Sequence, residues 1–204
     1  MARTSDAKER LMAAAGELTW QQGYNAVTVD AICERAGVKK GSFYYFFKSK
    51  AELAIAAMDN AWQTRSRPEL DRIFSASNPP LERLKQYFNV LYQKQLEMSQ
   101  TQGRCLGCPF FSLSMESGGL DPEVWEASRR YLNRKSKYIE AAIRDAQAEG
   151  AVEIDSVDEA VEGVWTLLEG ALARSRAQGD LDPLRDLYDQ SLRLLGVKHP
   201  VRET

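Results

Sequence analysis

Two cysteines spaced as Cys-x-x-Cys, Cys105 and Cys108, are one candidate set of reactive residues in this sequence. Such a pair could form a reversible disulfide, serve a thiol oxidoreductase or react with an oxidant or electrophile. Cys108 precedes Pro109, and proline is favoured at the first position of a helix. A thiol at a helix N-terminus is expected to have a lowered pKa and to react as the thiolate. The helix start would favour a reactive thiol at Cys108, while a small buried side chain is the commoner role of a free cysteine.

The rest of the sequence offers little support for an enzyme. A thioredoxin-like site needs a βαβ unit, and a zinc site needs more ligands than one cysteine pair. His199 is the single histidine and stands near the C-terminus, whereas triads and most acid–base schemes need an imidazole in a folded pocket. The common phosphate-binding, hydrolase and zinc-protease motifs are missing. We predict a protein that is not an enzyme and has no cofactor and no metal. A thiol oxidoreductase and a helical protein-interaction module remain the alternatives.

A basic and aromatic segment over 39–50 is the second candidate. It holds four lysines and no acidic residue. The preceding segment, 28–38, has apolar residues at helical spacing, and Gly37 permits a tight turn between two helices. A helix-turn-helix needs this arrangement, because the second helix presents its N-terminal residues to base edges in the major groove. The candidate DNA-binding residues are Thr28, Lys39, Lys40, Gly41, Ser42, Tyr44, Tyr45 and Lys50.

Each of these residue types suits contact with DNA. The first two lysines can reach guanine acceptors or phosphates, and the glycine lets the helix approach the duplex closely. The serine and tyrosine hydroxyls can anchor phosphates. The threonine and the last lysine stand at helix starts, where backbone N–H groups and a partial positive charge favour an anion. A solvated helix surface would carry similar charges, so the pattern alone leaves that interpretation open.

The sequence pattern predicts helices along the whole chain. Apolar residues recur at a spacing of three to four, and strict alternation is scarce. Prolines, glycines and the capping boxes Ser49–Glu52 and Ser156–Glu159 divide the chain into about nine helices. We therefore predict an all-α protein.

Composition favours a cytoplasmic protein. The 204 residues include 27 basic and 29 acidic side chains, a net charge of −2, and 44% are hydrophobic. No apolar run approaches the roughly 18 residues that span a bilayer, and no apolar signal core opens the chain, so no membrane partner is expected. Three cysteines are too few for a disulfide framework.

Residues from about 7 to 53 resemble the DNA-binding domain of the TetR family of bacterial transcriptional regulators. The resemblance rests on the run TVDAICERAGVKKGSFYYFFKSK over 28–50. Phe46 stands where the family often has Tyr, Lys48 where it often has Pro, and Lys39 where a small polar residue is commoner. The resemblance implies an all-helical homodimer, with a three-helix helix-turn-helix domain over 1–50 and a helical ligand-sensing and dimerisation domain over 51–204. It also implies binding to a palindromic operator on double-stranded DNA and release by an effector. Repression is the expected outcome, and activation remains open.

The segment 102–113 resembles a TetR subgroup with a Gly-Cys-Pro or Gly-Cys-Leu signature. Some members of that subgroup sense electrophiles or oxidants at the cysteine that matches Cys108, and many have a cationic residue at the position of Arg176. The resemblance implies an unidentified small-molecule or electrophile effector. Apolar stripes over 157–172 and 184–195 fit a dimer interface or the core of one protomer, and the family resemblance favours the dimer interface. The candidate ligand-binding or redox-sensing residues are Cys108, Cys105, Arg176, Phe110 and Trp165.

Overall fold

The computed structural model describes residues 2–197, with side chains from residue 6 onwards, so His199 lies outside the described residues. The described chain contains helices and no strand, and the prediction of an all-α protein is confirmed. The α-helices are α1 Ala2–Gln22, α2 Val29–Ala36, α3 Lys40–Phe46, α4 Lys50–Ala61, α5 Arg67–Ile73, α6 Pro80–Gln102, α7 Pro109–Ser117, α8 Pro122–Ala148, α9 Val157–Gln178, α10 Asp182–Arg185 and α11 Leu187–Leu194.

The helices are slightly more numerous than predicted. A π-helical turn over Trp62–Ser66 joins α4 to α5 without a break. Counting that run as one helix gives ten helices over residues 2–197, against the nine predicted. The extra helix arises because the last predicted helix is interrupted at Asp186, whose φ of −104° and ψ of 16° leave helical geometry.

Three predicted N-caps are confirmed by hydrogen bonds. The Oγ atoms of Thr28, Ser49 and Ser156 each accept from the backbone N–H three residues later, at 3.2, 3.0 and 3.3 Å. A side-chain oxygen at this position satisfies a helix N–H that has no partner within the helix. The Glu52 carboxylate accepts from the Lys48 N–H at 2.7 Å, so this box closes one residue earlier than the usual motif. These caps fix where α2, α4 and α9 begin.

The described chain divides into two compact units. The first unit contains the described residues up to Pro68 together with Pro109–Leu132. The second contains Glu69–Cys108 and the described residues from Asn133 onwards. The boundary expected between residues 50 and 51 stays a prediction.

The core of the first unit holds α1 to α4 together. Its most deeply buried side chains, Leu11, Ile32, Phe43 and Leu53, are at most 1% exposed. Burying a side chain of this size contributes about 1.5–3 kcal/mol. The Phe43 ring also packs edge-on against Tyr44, with 5.1 Å between ring centroids. These contacts fix the orientation of the short helix α3.

The second unit is built on α6, the C-terminal part of α8, and α9 to α11. Val164, Leu168, Leu187 and Leu195 are at most 1% exposed within a single protomer. For these residues of the two apolar stripes, the core interpretation is therefore correct. No described helix combines the length and apolar character that a membrane span requires.

Candidate nucleic-acid interface and thiol site

A tight turn connects α2 to α3. Gly37 adopts a left-handed conformation, with φ 62° and ψ 37°, and the Val38 N–H donates to the Cys33 carbonyl at 2.9 Å. A glycine adopts this conformation without the steric cost of a Cβ atom. The Arg10 guanidinium donates to the Ala36 carbonyl at 2.9 Å and holds the turn to α1. The local geometry is that of the predicted helix-turn-helix.

The outer face of α3 carries most of the predicted DNA-binding side chains. Lys39, Lys40 and Gly41 are exposed at its start, and Ser42 is half-buried. The exposed fraction is 56% for Tyr44 and 76% for Tyr45, although large aromatic side chains are commonly buried. The face therefore offers two cations, a site of close approach and two phenols to solvent.

Gly41 occupies open space. A Cβ atom built at this position would meet no atom within 4 Å, and the backbone there is helical. Neither packing nor backbone conformation thus requires glycine. A missing side chain on an exposed helix start instead suits close contact with another surface, such as the edge of a base pair.

Lys40 already has an anionic partner in this conformation. Its Nζ lies 2.7 Å from the Asp30 Oδ1, and both side chains are more than half exposed. The pKa of Lys40 is raised mainly by the hydrogen bond to Asp30 and, to a smaller extent, by the negative charge of the same carboxylate. Exposed ion pairs are weak and exchange readily. A DNA phosphate or base can therefore replace Asp30 as the partner of this cation.

Two other predicted residues lie at helix starts. Thr28 is exposed, and its Oγ1 caps α2. Lys50 points inwards, donating to the carbonyls of Tyr24 at 2.8 Å and Val27 at 3.1 Å, with its Nζ 4.1 Å from the centre of the Tyr24 ring. Burial lowers the pKa of Lys50. In this conformation Lys50 fixes the loop between α1 and α2, so its predicted phosphate contact stays a prediction.

Replacing Lys50 with methionine should lower the free energy of unfolding by about 1–2 kcal/mol. The change keeps the aliphatic stem but removes two hydrogen bonds and a cation–π contact. Urea titration of wild type, Lys50→Met and the matched exposed control Lys48→Met measures this effect. Unchanged stability of Lys50→Met, together with a flatter salt dependence of DNA binding, would instead assign Lys50 to phosphate contact.

The loop between α1 and α2 also contacts the end of α7 and the start of α8. The Tyr24 hydroxyl donates to the Asp121 Oδ2 at 2.8 Å, and burial is the main cause of the raised pKa of Tyr24. The Asn25 backbone N–H donates to the Glu116 Oε2 at 3.2 Å, and its side-chain amide donates to the Glu116 carbonyl at 3.0 Å. These contacts bridge more than 90 residues of sequence. Contacts between residues so far apart in the sequence leave no periodic pattern, and sequence reasoning missed them.

The cysteine segment is tightly enclosed. Cys108 directly precedes α7, as predicted, and is 6% exposed. Cys105 is fully buried, its thiol donates to the Asp180 carbonyl at 3.3 Å, and burial raises its pKa. None of the three cysteines, each within the described range, forms a disulfide. Buried thiols do not favour the thiol oxidoreductase alternative.

Side chains of α6 and α9 hold the loop that carries Cys108. The Gln95 amide donates to the Gly107 carbonyl at 3.1 Å and accepts from the Leu106 and Gly107 N–H groups at 3.1 and 2.9 Å. The Arg176 guanidinium donates to the Leu106 carbonyl at 3.0 Å. Gly107 has a φ of 67°, and a Cβ there would approach the Leu172 carbonyl to 3.0 Å. The loop therefore has little freedom to move without disturbing α9.

The five predicted sensing residues do not all belong to one unit. Cys105, Cys108 and Arg176 lie around the same loop of the second unit. Phe110 belongs to the first unit, where it stacks on Tyr131 with 3.5 Å between ring centroids. Trp165 is half-buried on α9 of the second unit. The roles of all five stay predictions.

Sequence reasoning missed a polar group beside Cys108. Glu169 of α9 is 4% exposed, and no hydrogen bond of ordinary length and angle reaches either carboxylate oxygen. Burial raises the pKa of Glu169, while the charge of Lys135 and the Cys108 thiol lower it. Tyr87 of α6 lies beside the same group, since the Lys135 Nζ is 5.7 Å from the centre of its ring. Burial raises the pKa of Tyr87, and the charge of Lys135 lowers it. A glutamate at a buried position of an otherwise apolar helical stripe is the signal that could have revealed this group.

An open groove of about 550 Å³ runs along the second unit. It lies against α9, α10 and the start of α11, and a Cβ built at Gly170 would meet nothing within 4 Å. Its lining residues are Thr166, Leu167, Gly170, Ala171, Arg174, Gln178, Asp180, Asp182, Pro183 and Gln190.

Comparison with known proteins identifies the family. Residues 11–57 match the model of bacterial regulatory proteins of the tetR family, and residues 80–190 match the tetracyclin repressor-like C-terminal domain. The chain belongs to the TetR family. It is therefore a DNA-binding transcriptional regulator of a non-enzymatic family. Membership of the Gly-Cys-Pro subgroup stays a prediction.

Individual relatives agree with this family assignment. Transcriptional regulator AcuR of Cereibacter sphaeroides is 32% identical over 181 residues, covering 87% of this chain and 80% of the relative. The repressor NemR of Escherichia coli is 26% identical over 122 residues, covering 60% of this chain and 59% of the relative. The crystal structure of a regulatory protein TetR from Rhodobacter sphaeroides is 30% identical, covers 92% of this chain and 98% of its own, and superposes with a TM-score of 0.81.

Proposed function

We propose that this TetR-family regulator is a homodimeric cytoplasmic repressor that leaves a palindromic operator when an effector acts on its second unit. The observation that carries the DNA-binding part is the outer face of α3. This face carries two lysines, a glycine in open space and two exposed tyrosines. The buried Phe43 ring holds the helix in place. NemR is a transcriptional repressor by name, which supports repression here.

The proposed contact places α3 of each protomer in the major groove. Lys39 and Lys40 contact guanine acceptors or phosphates, and Gly41 allows close approach. The hydroxyls of Ser42, Tyr44 and Tyr45 anchor backbone phosphates. Thr28 presents the exposed N-terminal end of α2 to another phosphate. Two such helices of a symmetric dimer enter successive grooves about 34–36 Å apart.

The groove along α9 and α10 supports the dimer part of the proposal. The inner stripes of α9 and α11 are already used within one protomer. Thr166, Leu167 and Gly170 line a surface that remains open, and Gly170 places no side chain on it. Small residues let helices approach closely, and a two-fold contact uses the same surface on both subunits. We assign this surface to a second copy of the chain.

A glutamate in place of Gly170 should weaken the dimer by at least about tenfold while leaving the protomer folded. The new side chain would point into open space, one turn before Arg174, which is a favourable spacing for opposite charges on a helix. At a two-fold interface it would bring bulk and like charges together. Sedimentation equilibrium of wild type, Gly170→Glu and the small-residue control Gly170→Ala measures the dissociation constant. Equal dissociation constants would remove this groove from the interface.

The effector part of the proposal rests on the position of α7. Its first residue follows Cys108, and Glu116 in its last turn holds the loop between α1 and α2. A small apolar or electrophilic effector acting around Cys108, Cys105 and Arg176 would change the start of α7. A shift of α7 would then reach the helix-turn-helix through that loop. Trp165, half-buried on α9 of the same unit as Cys108, is the aromatic candidate for contact with such an effector.

Fluorescence anisotropy with labelled DNA from upstream of the protein's own gene tests this function. We expect tight binding that weakens steeply between two salt concentrations and is lost after treatment with a small electrophile. Binding that survives treatment would keep the repressor and indicate a noncovalent effector. A helical protein-interaction module predicts no salt-dependent binding to any duplex, and that result would contradict the proposal.

A further inference from the structure

The buried carboxyl of Glu169 needs an explanation that packing does not supply. Its side chain is 4% exposed, and its two oxygens have no hydrogen-bond partner of ordinary geometry among the described residues. A buried carboxylate destabilises a fold unless hydrogen bonds or opposite charges compensate for its lost hydration. A buried carboxyl with a shifted pKa is therefore a candidate for a functional group.

The groups that face Glu169 are suited to proton transfer. Burial raises the pKa of Glu169, and the positive charge of Lys135 on α8 and the Cys108 thiol both lower it, so both groups lie near the carboxyl. The raised pKa makes the Glu169 carboxylate a better proton acceptor than an exposed one. A cysteine, a carboxylate and a cation therefore meet in one enclosed place.

Tyr87 adds a hydrogen-bond donor to the same place. Its hydroxyl is buried without a hydrogen-bond partner of ordinary geometry in the described structure, and the Lys135 Nζ lies 5.7 Å from the centre of its ring. Burial raises the pKa of Tyr87 to about 12, so the phenol keeps its proton at neutral pH. Lys135 and Tyr87 can both donate to an oxygen that becomes negative during a reaction.

We propose that Cys108, Glu169, Lys135 and Tyr87 form a reaction site for small α,β-unsaturated carbonyl compounds, in which Glu169 accepts the thiol proton. This inference deepens the effector part of the proposed function and rests on it. It assigns roles to three residues that the cysteine motif does not contain. The site is enclosed, with Cys108 6% exposed, so it selects small electrophiles that can reach the thiol.

The reaction is an addition that needs no oxidant or reductant. The Cys108 sulfur forms a bond to the β-carbon of the electrophile while its proton moves to the Glu169 carboxylate. The carbon–carbon π pair shifts and leaves the negative charge on the carbonyl oxygen, where Lys135 and Tyr87 donate hydrogen bonds. The proton then passes from Glu169 to the α-carbon. The product is a saturated thioether, and the carboxylate is restored.

A standing thiolate is disfavoured here for two physical reasons. Burial opposes a charged sulfur, and a neighbouring carboxylate repels it. Transfer of the proton during attack avoids both costs, because only one negative charge is present at each stage. This difference separates the proposed proton acceptor from a carboxylate that merely sits beside the thiol.

The rate of Cys108 alkylation by methyl vinyl ketone, followed by whole-protein mass spectrometry, tests the proposal. Glu169→Gln should react about 100-fold more slowly than wild type, the lower end for a lost general base. Glu162→Gln, an exposed substitution two turns earlier on α9, should react at the wild-type rate. The adduct is assigned to Cys108 if the Cys108→Ser variant does not form it. An unchanged Glu169→Gln rate would overturn the proposal, and so would a faster one, since the carboxylate would then only suppress the thiolate.

The pH profile of the wild-type rate gives a second test, which holds even if Glu169→Gln fails to fold. The groups that face the thiol are Glu169 on α9, Lys135 on α8 and Tyr87 on α6. Because the acceptor must be deprotonated, the rate should fall as the pH drops through the raised pKa of Glu169 and should level off at pH values above that pKa. A rate that rises tenfold per pH unit throughout, as for thiolate attack alone, would contradict the proposal.

Operator binding is measured on the same samples to separate the two proposals. A Cys108 adduct that forms with the expected dependence on Glu169, while the protein stays on DNA, keeps the reaction site and overturns its role in release. Release from DNA by methyl vinyl ketone without a Cys108 adduct overturns the reaction site and keeps the regulator.

Discussion

Replacing both Lys39 and Lys40 with alanine should lower operator affinity by about 10³-fold or more at physiological salt. A dimer loses four cations, and each base or phosphate contact contributes roughly five- to tenfold. The slope of log affinity against log salt should become shallower by about 3 to 4, at close to 0.9 per lost phosphate contact. Anisotropy titrations at several salt concentrations measure both quantities.

A matched control separates this effect from a change in net charge. Lys85→Ala with Lys137→Ala removes two exposed lysines from the second unit and should leave affinity and salt slope close to wild type. Neither Lys39 nor Lys40 packs in the core, so the test variant should unfold at the wild-type urea midpoint. Equal affinity losses in both double variants would show that general charge, rather than α3, governs binding.

Phe43→Ala should cost about 3–5 kcal/mol of the free energy of unfolding, the usual range for truncating a fully buried phenylalanine. The ring is 0% exposed and lies in a core cluster with residues of α1, α2 and α4. Its loss leaves a cavity under α3, so DNA binding should fall as well. Urea denaturation followed by circular dichroism measures the change.

Tyr45, two residues later on the same helix, should behave in the opposite way. It is 76% exposed, so Tyr45→Ala should leave the unfolding midpoint unchanged and reduce only the affinity for DNA. The two variants together test which face of α3 is structural. A destabilised Tyr45→Ala, or a Phe43→Ala variant as stable as wild type, would contradict the described orientation of this helix.

The helix-turn-helix could be predicted from sequence because its determinants are local. The caps, the left-handed Gly37 and the spacing that buries Phe43 all act within one or two turns. The direction of Lys50 could not be predicted in this way. Its position at a helix start suggested a phosphate contact, but the Tyr24 and Val27 carbonyls that it binds depend on how a loop folds back.

The thiol site shows the same limit more clearly. The position of Cys108 at a helix start follows from the proline after it. Glu169 and Lys135 lie far along the chain on other helices, and only tertiary packing brings them to the thiol. Apolar stripes likewise predict burial without naming the partner surface, which is why Leu168 and Leu187 fitted both a dimer and a single core.

Selection of duplexes from a random DNA library, with wild type and Lys40→Ala in parallel, tests the central claim that two copies of α3 read the operator. We predict that wild type enriches an inverted repeat whose half-site centres are about 10 base pairs apart. The Lys40→Ala variant should lose or change the preference at one symmetric pair of positions. Enrichment without two-fold symmetry, or the same sequence with both proteins, would contradict the account.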